Sequence, residues 1–176
     1  YAALVKKYSR QYNVTESLVY GIMKTESSFN PFAVSPAPAY GLMQIVPSTA
    51  GRDVFEKIKR RNDEPTPDYL FDPENNIDTG AAYLHILQDR YLASIRDHNS
   101  KRYSVISAYN GGAGNVFRTF SSSRDRALSM INRLNPDEVY ERLRNNHPLP
   151  ESRRYLFKVN QAQQEFWQND GFASSN

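Results

Sequence analysis

Apolar residues recur at three- and four-residue intervals through most of this chain, and no run alternates clearly enough to predict a strand. Leu4, Val5, Tyr8 and Tyr12 mark one face of a first helix. A second helix opens near Thr15, read as its N-cap, and carries Leu18, Val19, Ile22 and Met23; Pro31 disfavours a helical Asn30, so it ends by Ser27 or Ser28. A long helix is predicted from the late 70s to the mid 90s, with Ala81, Leu84, Leu87, Tyr91 and Ile95 as its stripe. Shorter ones are predicted over Tyr103–Tyr109, Arg124–Leu134 and Pro136–Arg144, the last capped by Asn135. A final helix opens near Pro150 and turns Tyr155, Leu156, Val159, Phe166 and Trp167 inward, before a tail that frays from Asn169. Between the second and third helices, Ser35–Tyr40 holds two prolines and reads as a loop or short hairpin. The fold class is therefore mainly α, in one domain over residues 1–176 whose ordered part ends near 168.

Composition narrows the function. The 22 basic and 19 acidic residues give a net charge of +3, too small and dispersed for a nucleic-acid partner. The densest basic run, Lys57–Arg61, is followed at once by Asp63 and Glu64 and reads as a solvated face. There is no cysteine, so disulfides and thiolate metal sites are excluded. No apolar run approaches the ~18 residues that a membrane span needs. Twelve tyrosines suit a sugar-binding cleft, but they suit an ordinary core equally. The first residue is Tyr1 and no signal-like segment follows, so the chain reads as a mature fragment.

One position breaks the helical pattern. Four-residue steps from Leu18 reach Ile22 and then Glu26, which puts a carboxyl on an apolar stripe at a helix C-terminus. Partial burial and the negative end of the helix dipole both disfavour its charged form, so its pKa is expected above the ordinary range. A carboxyl held protonated near neutrality is what a general acid requires. The plainer reading is a Glu leaning into solvent at a frayed end.

The flanking segments favour chemistry. Glu26-Ser27-Ser28-Phe29-Asn30-Pro31 precedes Ser35 and then Gly41-Leu42-Met43-Gln44-Ile45-Val46-Pro47-Ser48-Thr49-Ala50. Asn76-Ile77-Asp78-Thr79-Gly80, Ala108-Tyr109-Asn110-Gly111-Gly112 and Glu151-Ser152-Arg153-Arg154-Tyr155 follow in order. In this series the chain resembles the soluble-lytic-transglycosylase-type domain, a relative of goose-type lysozyme, from about Val14 to about Val159. The resemblance implies a lysozyme-like helical domain with a substrate cleft and at most a small β-hairpin.

It also implies roles. Glu26 matches the sole catalytic acid and base. Ser35 and Gln44 match polar residues lining the cleft. Tyr109 and Asn110 match the Ala-Tyr-Asn motif, whose Tyr contacts the sugar. Glu151 and Tyr155, four apart on one helix face, match a pair at the cleft's floor and wall, and Asn76 matches an Asn expected to be structural. Pro38 stands where the family more often has Gly, which stiffens the loop that carries Ser35. Gly41 is expected at positive φ.

The implied reaction is non-hydrolytic cleavage of the β-1,4 MurNAc–GlcNAc bond of peptidoglycan, leaving 1,6-anhydromuramyl ends. The implied partners are glycan strands, in the bacterial periplasm, with a lipid anchor or N-terminal domain outside this chain tethering it to the outer membrane. No cofactor and no metal are expected, since His85, His98 and His147 are scattered, and no serine sits in a Gly-x-Ser-x-Gly setting. Two rivals stand beside this reading. A goose-type muramidase would use water and usually a second carboxylate, for which Asp53, Asp68 and Asp72 are available. A non-catalytic glycan-binding module would keep the aromatic residues without requiring Glu26.

Overall fold

A computed structural model describes residues 1–170, which divide into two compact units, Tyr1–His85 with the segment from Gln161, and Ile86–Asn160. In the first unit, α1 (Ala2–Tyr12) buries Val5, Tyr8 and Tyr12 of its expected stripe, with Ser9 buried beside them and Leu4 only half-buried, and α2 (Glu16–Ser27) buries Leu18, Val19, Ile22 and Met23 as the periodicity indicates. Thr15 does hold the N-cap position of α2, but its side chain accepts no capping bond. Gly21 lets this helix lie close to the chain at Gln163, because a Cβ there would stand 3.1 Å from the Gln163 backbone nitrogen. Ser17 deepens the contact. Its backbone N–H donates to the Asp170 carboxylate at 2.9 Å, its hydroxyl also donates to that carboxylate, and its oxygen accepts from Gln163 Nε2 at 3.0 Å.

After α2 the chain forms a two-strand antiparallel hairpin, β1 (Val34–Ser35) and β2 (Ala39–Tyr40), with Ser35 opposite Ala39 and a cis Ala37–Pro38 bond at its tip. A π-helical turn (Pro47–Gly51), α3 (Arg52–Lys57) and α4 (Pro67–Phe71) follow. The long helix α5 covers Pro73–Ile86, earlier than the stripe suggested, because Asp72 accepts from the Asn75 N–H and starts it. A second π-helical turn, Leu87–Tyr91, then ends the regular spiral before the mid 90s. Asp78 on α5 joins three elements. It accepts from the Tyr12 hydroxyl and, at 2.8 Å, from Lys59. Burial, reinforced by the Asp78 carboxylate, pushes the Tyr12 phenol far above its ordinary pKa. Lys59 therefore has a partner inside the fold, a correction to the solvated-run reading of Lys57–Arg61.

The second unit is helical throughout. Its elements are α6 (His98–Gly111), α7 (Ala113–Phe120), α8 (Arg124–Arg133), α9 (Pro136–Asn146) and the first part of α10 (Pro150–Gln164). Asp97 and Ser123 cap α6 and α8, and Asn135 with Glu138 forms a complete capping box on α9. Beyond α10, Phe166 stacks on Tyr20 at 5.0 Å, whereas Trp167 is 47% exposed and not inward-facing. α10 stops at Gln164, so the helical phase that would have turned Trp167 inward is lost. The expected fraying at Asn169 and Asp170 is also corrected, since Asp170 is tied to Ser17; the rest of that tail lies outside the described residues.

Candidate active site

Glu26 lies half-buried in the last turn of α2. The helix stops there because Ser28 and Phe29 take left-handed conformations, φ 51° and 63°. Ser27 ties this end down, its hydroxyl lying 2.7 Å from the Leu42 carbonyl and 3.1 Å from that of Met23. Leu42 is itself held from α5. Asn76, fully buried, accepts from the Met43 N–H at 2.8 Å and donates to the Tyr40 and Leu70 carbonyls at 2.9 and 2.8 Å. One turn on, Gly80 makes room for Met43, whose sulfur would lie 2.2 Å from a Cβ at that position. Asn76 and Gly80, at i and i+4, thus present one face of α5 to the Gly41–Met43 loop. Gly41 has the expected positive φ, 79°, and a Cβ there would meet the Asn76 amide at 2.3 Å.

Ser35 and Gln44 lie in the same unit, both half-buried. The Gln44 amide nitrogen donates to the carbonyls of Ala33 and Gly41, each at 3.0 Å, and so braces the hairpin. Only its Oε1 retains acceptor capacity for another group. Of the three spare carboxylates, Asp53 pairs with Lys57, Asp72 caps α5, and Asp68 is exposed in the first turn of α4.

In the second unit, Tyr109 and Asn110 close α6 just before Gly112 turns the chain at φ 85°. Ser152, buried on α10, donates to Asn110 Oδ1 at 2.7 Å, which directs the Asn110 amide nitrogen toward Glu151 Oε1 at 3.4 Å. Glu151 is exposed, and Tyr155, one turn further, is buried, only 6% exposed. The structure therefore brings Asn110 and Glu151 together through Ser152, a residue whose role the sequence reading missed. Serine at that position, inside a motif and on a buried helix phase, was the available signal.

Gly111 is equally constrained, since a Cβ there would lie 2.5 Å from the Ser152 hydroxyl and 3.0 Å from the His147 ring. His147 is fully buried. Its Nδ1 accepts from the Leu149 N–H at 3.0 Å, which leaves the proton of the neutral ring on Nε2. Burial lowers its pKa, and the Arg153 charge lowers it further. With a folded pKa below the ordinary 6.5, the unfolded chain binds the proton more readily. His147 thus contributes stability that is fully present above about pH 6.5 and declines as the pH falls through its folded pKa. Thermal unfolding from pH 5 to pH 8 should show the acid-side decline in wild type and a shallower one in His147→Asn, whatever that variant's absolute stability. Equal slopes would contradict the assignment.

A mainly helical architecture with one small hairpin agrees with a lysozyme-like class, and likeness to known proteins gives the family. Residues 3–132 match the family "Transglycosylase SLT domain", and the chain belongs to it. Among curated relatives it is 58% identical over 166 residues to the membrane-bound lytic murein transglycosylase C of Pectobacterium atrosepticum. It is 57% identical over the same length to that of Sodalis glossinidius. Each match covers 94% of this chain but 46% of the relative, so the chain spans about half the length of these proteins. Among solved structures it is similar to the 70-kDa soluble lytic transglycosylase of Escherichia coli, with a TM-score of 0.72 and 28% identity over 97% of this chain and 24% of that one. A complex of the 70-kDa soluble lytic transglycosylase with bulgecin A gives a TM-score of 0.70 and 26% identity, again over 97% and 24% of the two chains.

Proposed function

We propose that this chain is a peptidoglycan lytic transglycosylase that cleaves the β-1,4 MurNAc–GlcNAc bond without water, with Glu26 as acid and then base. The observation that carries this reading is the half-buried Glu26 on a helix end fixed by Ser27, Leu42 and Asn76, in a chain of the Transglycosylase SLT family. Glu26 donates its proton to the glycosidic oxygen as the C1–O bond breaks. The substrate's N-acetyl oxygen stabilises the positive charge at C1. The carboxylate then removes the proton from the muramyl O6 hydroxyl, O6 bonds to C1, and Glu26 is protonated again. The products are a free GlcNAc 4-hydroxyl and a 1,6-anhydromuramyl end.

The other candidates serve as substrate contacts in this proposal. Ser35, Gln44 through Oε1, Tyr109, Asn110, Glu151 and Tyr155 hydrogen-bond or stack with the sugars. The muramidase alternative is weaker because Asp53 and Asp72 already have partners within the fold. The relatives are named membrane-bound, which agrees with a membrane-tethered full-length protein, and the proposal places it in the periplasm at the outer membrane. Among the described residues no helix is long and apolar enough to cross a membrane; the tether belongs to the proposal and lies outside this chain.

Tyr109→Phe and Tyr155→Phe test the contact residues. Each retains the ring and removes one hydroxyl, so turnover on purified sacculi should fall about tenfold, the equivalent of ~1.4 kcal/mol, with melting temperature little changed. Unchanged kinetics in both variants would return these tyrosines to core packing. A chain that binds sacculi and releases no sugar would instead be a binding module.

A further inference from the structure

A cavity of about 470 Å³ opens in the second unit, along α8 and the segment that precedes α6. Three arginines line it, Arg96 from that segment and Arg126 and Arg133 from α8. Arg126 and Arg133 are seven residues apart, two turns along one helix face. All three are exposed, and among the described residues none forms an ion pair. Other cations of this protein are matched, Arg52 with Glu64 and Arg61 with Asp63, for example. The only carboxylate in the lining is Asp125, so the wall carries a net charge of +2 from three cations and one anion.

The wall is also fixed in place. Asn132 accepts from the Arg96 N–H and donates to the Ser94 carbonyl, both at 2.9 Å, and so ties the preceding segment to α8. Like charges gathered on one cavity repel one another. Leu128 and Met130 add apolar surface to the same lining. A volume of this size is within the range of sites for small organic ligands, well beyond what one inorganic ion fills.

We propose that this cavity is a binding site for a short acidic peptide, whose carboxylates engage Arg96, Arg126 and Arg133 while its methylene groups cover Leu128 and Met130. Guanidinium groups pair with carboxylates through two parallel hydrogen bonds, which suits a site chosen for geometry as well as charge. The apolar part of the lining favours a peptide over free phosphate. This inference does not depend on the glycan chemistry proposed above.

Titration of the ¹⁵N-labelled chain with acetyl-triglutamate amide tests it. Backbone signals of α8 and of residues 94–96 should shift and saturate. Acetyl-triglutamine amide should leave them in place, and inorganic phosphate should bind at least tenfold more weakly than the acidic peptide. Raising the salt concentration should weaken binding, because the pairs are exposed. In Arg126→Ala/Arg133→Ala, affinity should fall at least tenfold while the remaining spectrum and the turnover of sacculi stay as in wild type. Arg126→Lys/Arg133→Lys keeps the charge without the fork and should bind between the two. Equal binding of triglutamate and triglutamine, tighter binding of phosphate than of peptide, or full affinity in the double alanine variant would each overturn the proposal.

Discussion

Glu26→Gln is expected to keep the fold and lose almost all turnover. Glutamine matches glutamate in size and can fill the same half-buried place at the end of α2. It can neither give a proton to the leaving oxygen nor take one from the muramyl hydroxyl. Positioned proton transfer contributes about 10²–10⁴-fold to a rate, and here one group performs it twice, so the loss should reach the upper end of that span or beyond. The assay is release of soluble muropeptides from purified sacculi, alongside thermal unfolding to show that the variant is folded. A variant retaining a tenth or more of wild-type turnover would remove Glu26 from the mechanism.

Asn76→Ala should have the largest effect on stability. One side chain satisfies the Met43 N–H and the Tyr40 and Leu70 carbonyls, inside a region closed to water. The Tyr40 carbonyl keeps a second donor, the Ile45 N–H at 3.1 Å, so the Met43 N–H and the Leu70 carbonyl bear most of the loss. Leaving buried polar groups unpaired costs about 1–3 kcal/mol each, and a total near 3 kcal/mol is expected. For a chain of this size that lowers the melting temperature by roughly 6–12 °C. Turnover measured well below the new midpoint should fall as well, because the loop that Asn76 holds supplies the Leu42 carbonyl to Ser27, beside Glu26. A melting temperature within a degree of wild type would show that the loop does not depend on this amide.

These two residues illustrate what the sequence carried and what it did not. The place of Glu26 at a helix end was legible because its stripe is local: Leu18, Ile22 and Glu26 share one helix face, and the stop at Ser28 follows from nearby residues. The Asn135 cap and the positive φ of Gly41 were legible for the same reason. α7 escaped notice because Gly112 precedes it and Gly114 falls in its first turn, and α3 and α4, of six and five residues, are too short to set a period. The long helix was placed late because its first turn, Pro73–Asn76, has no apolar residue to extend the stripe.

The bonds that organise the candidate site join residues far apart in the chain. Ser27 reaches Leu42, Asn76 reaches Met43, and Ser152 reaches Asn110. No periodicity predicts such closures, because they depend on where separate elements meet. Gln44 shows the same limit. Its motif placed it among cleft residues, but the amide nitrogen is occupied by the Ala33 and Gly41 carbonyls.

The central claim concerns the group that attacks C1. The muramyl O6 is held within the same sugar, and a well-oriented intramolecular group can act with an effective molarity of roughly 10⁵ M or more, which bulk water cannot match. Among the spare carboxylates, Asp53 and Asp72 are already engaged in the fold, and Asp68 belongs to no motif that would position water. Digestion of purified sacculi in oxygen-18 water, followed by mass spectrometry of the released sugars, separates the two outcomes. The account predicts 1,6-anhydromuramyl products, each lighter than the hydrolysis product by one water and free of label. Labelled reducing ends as the main product would contradict it and make the enzyme a muramidase.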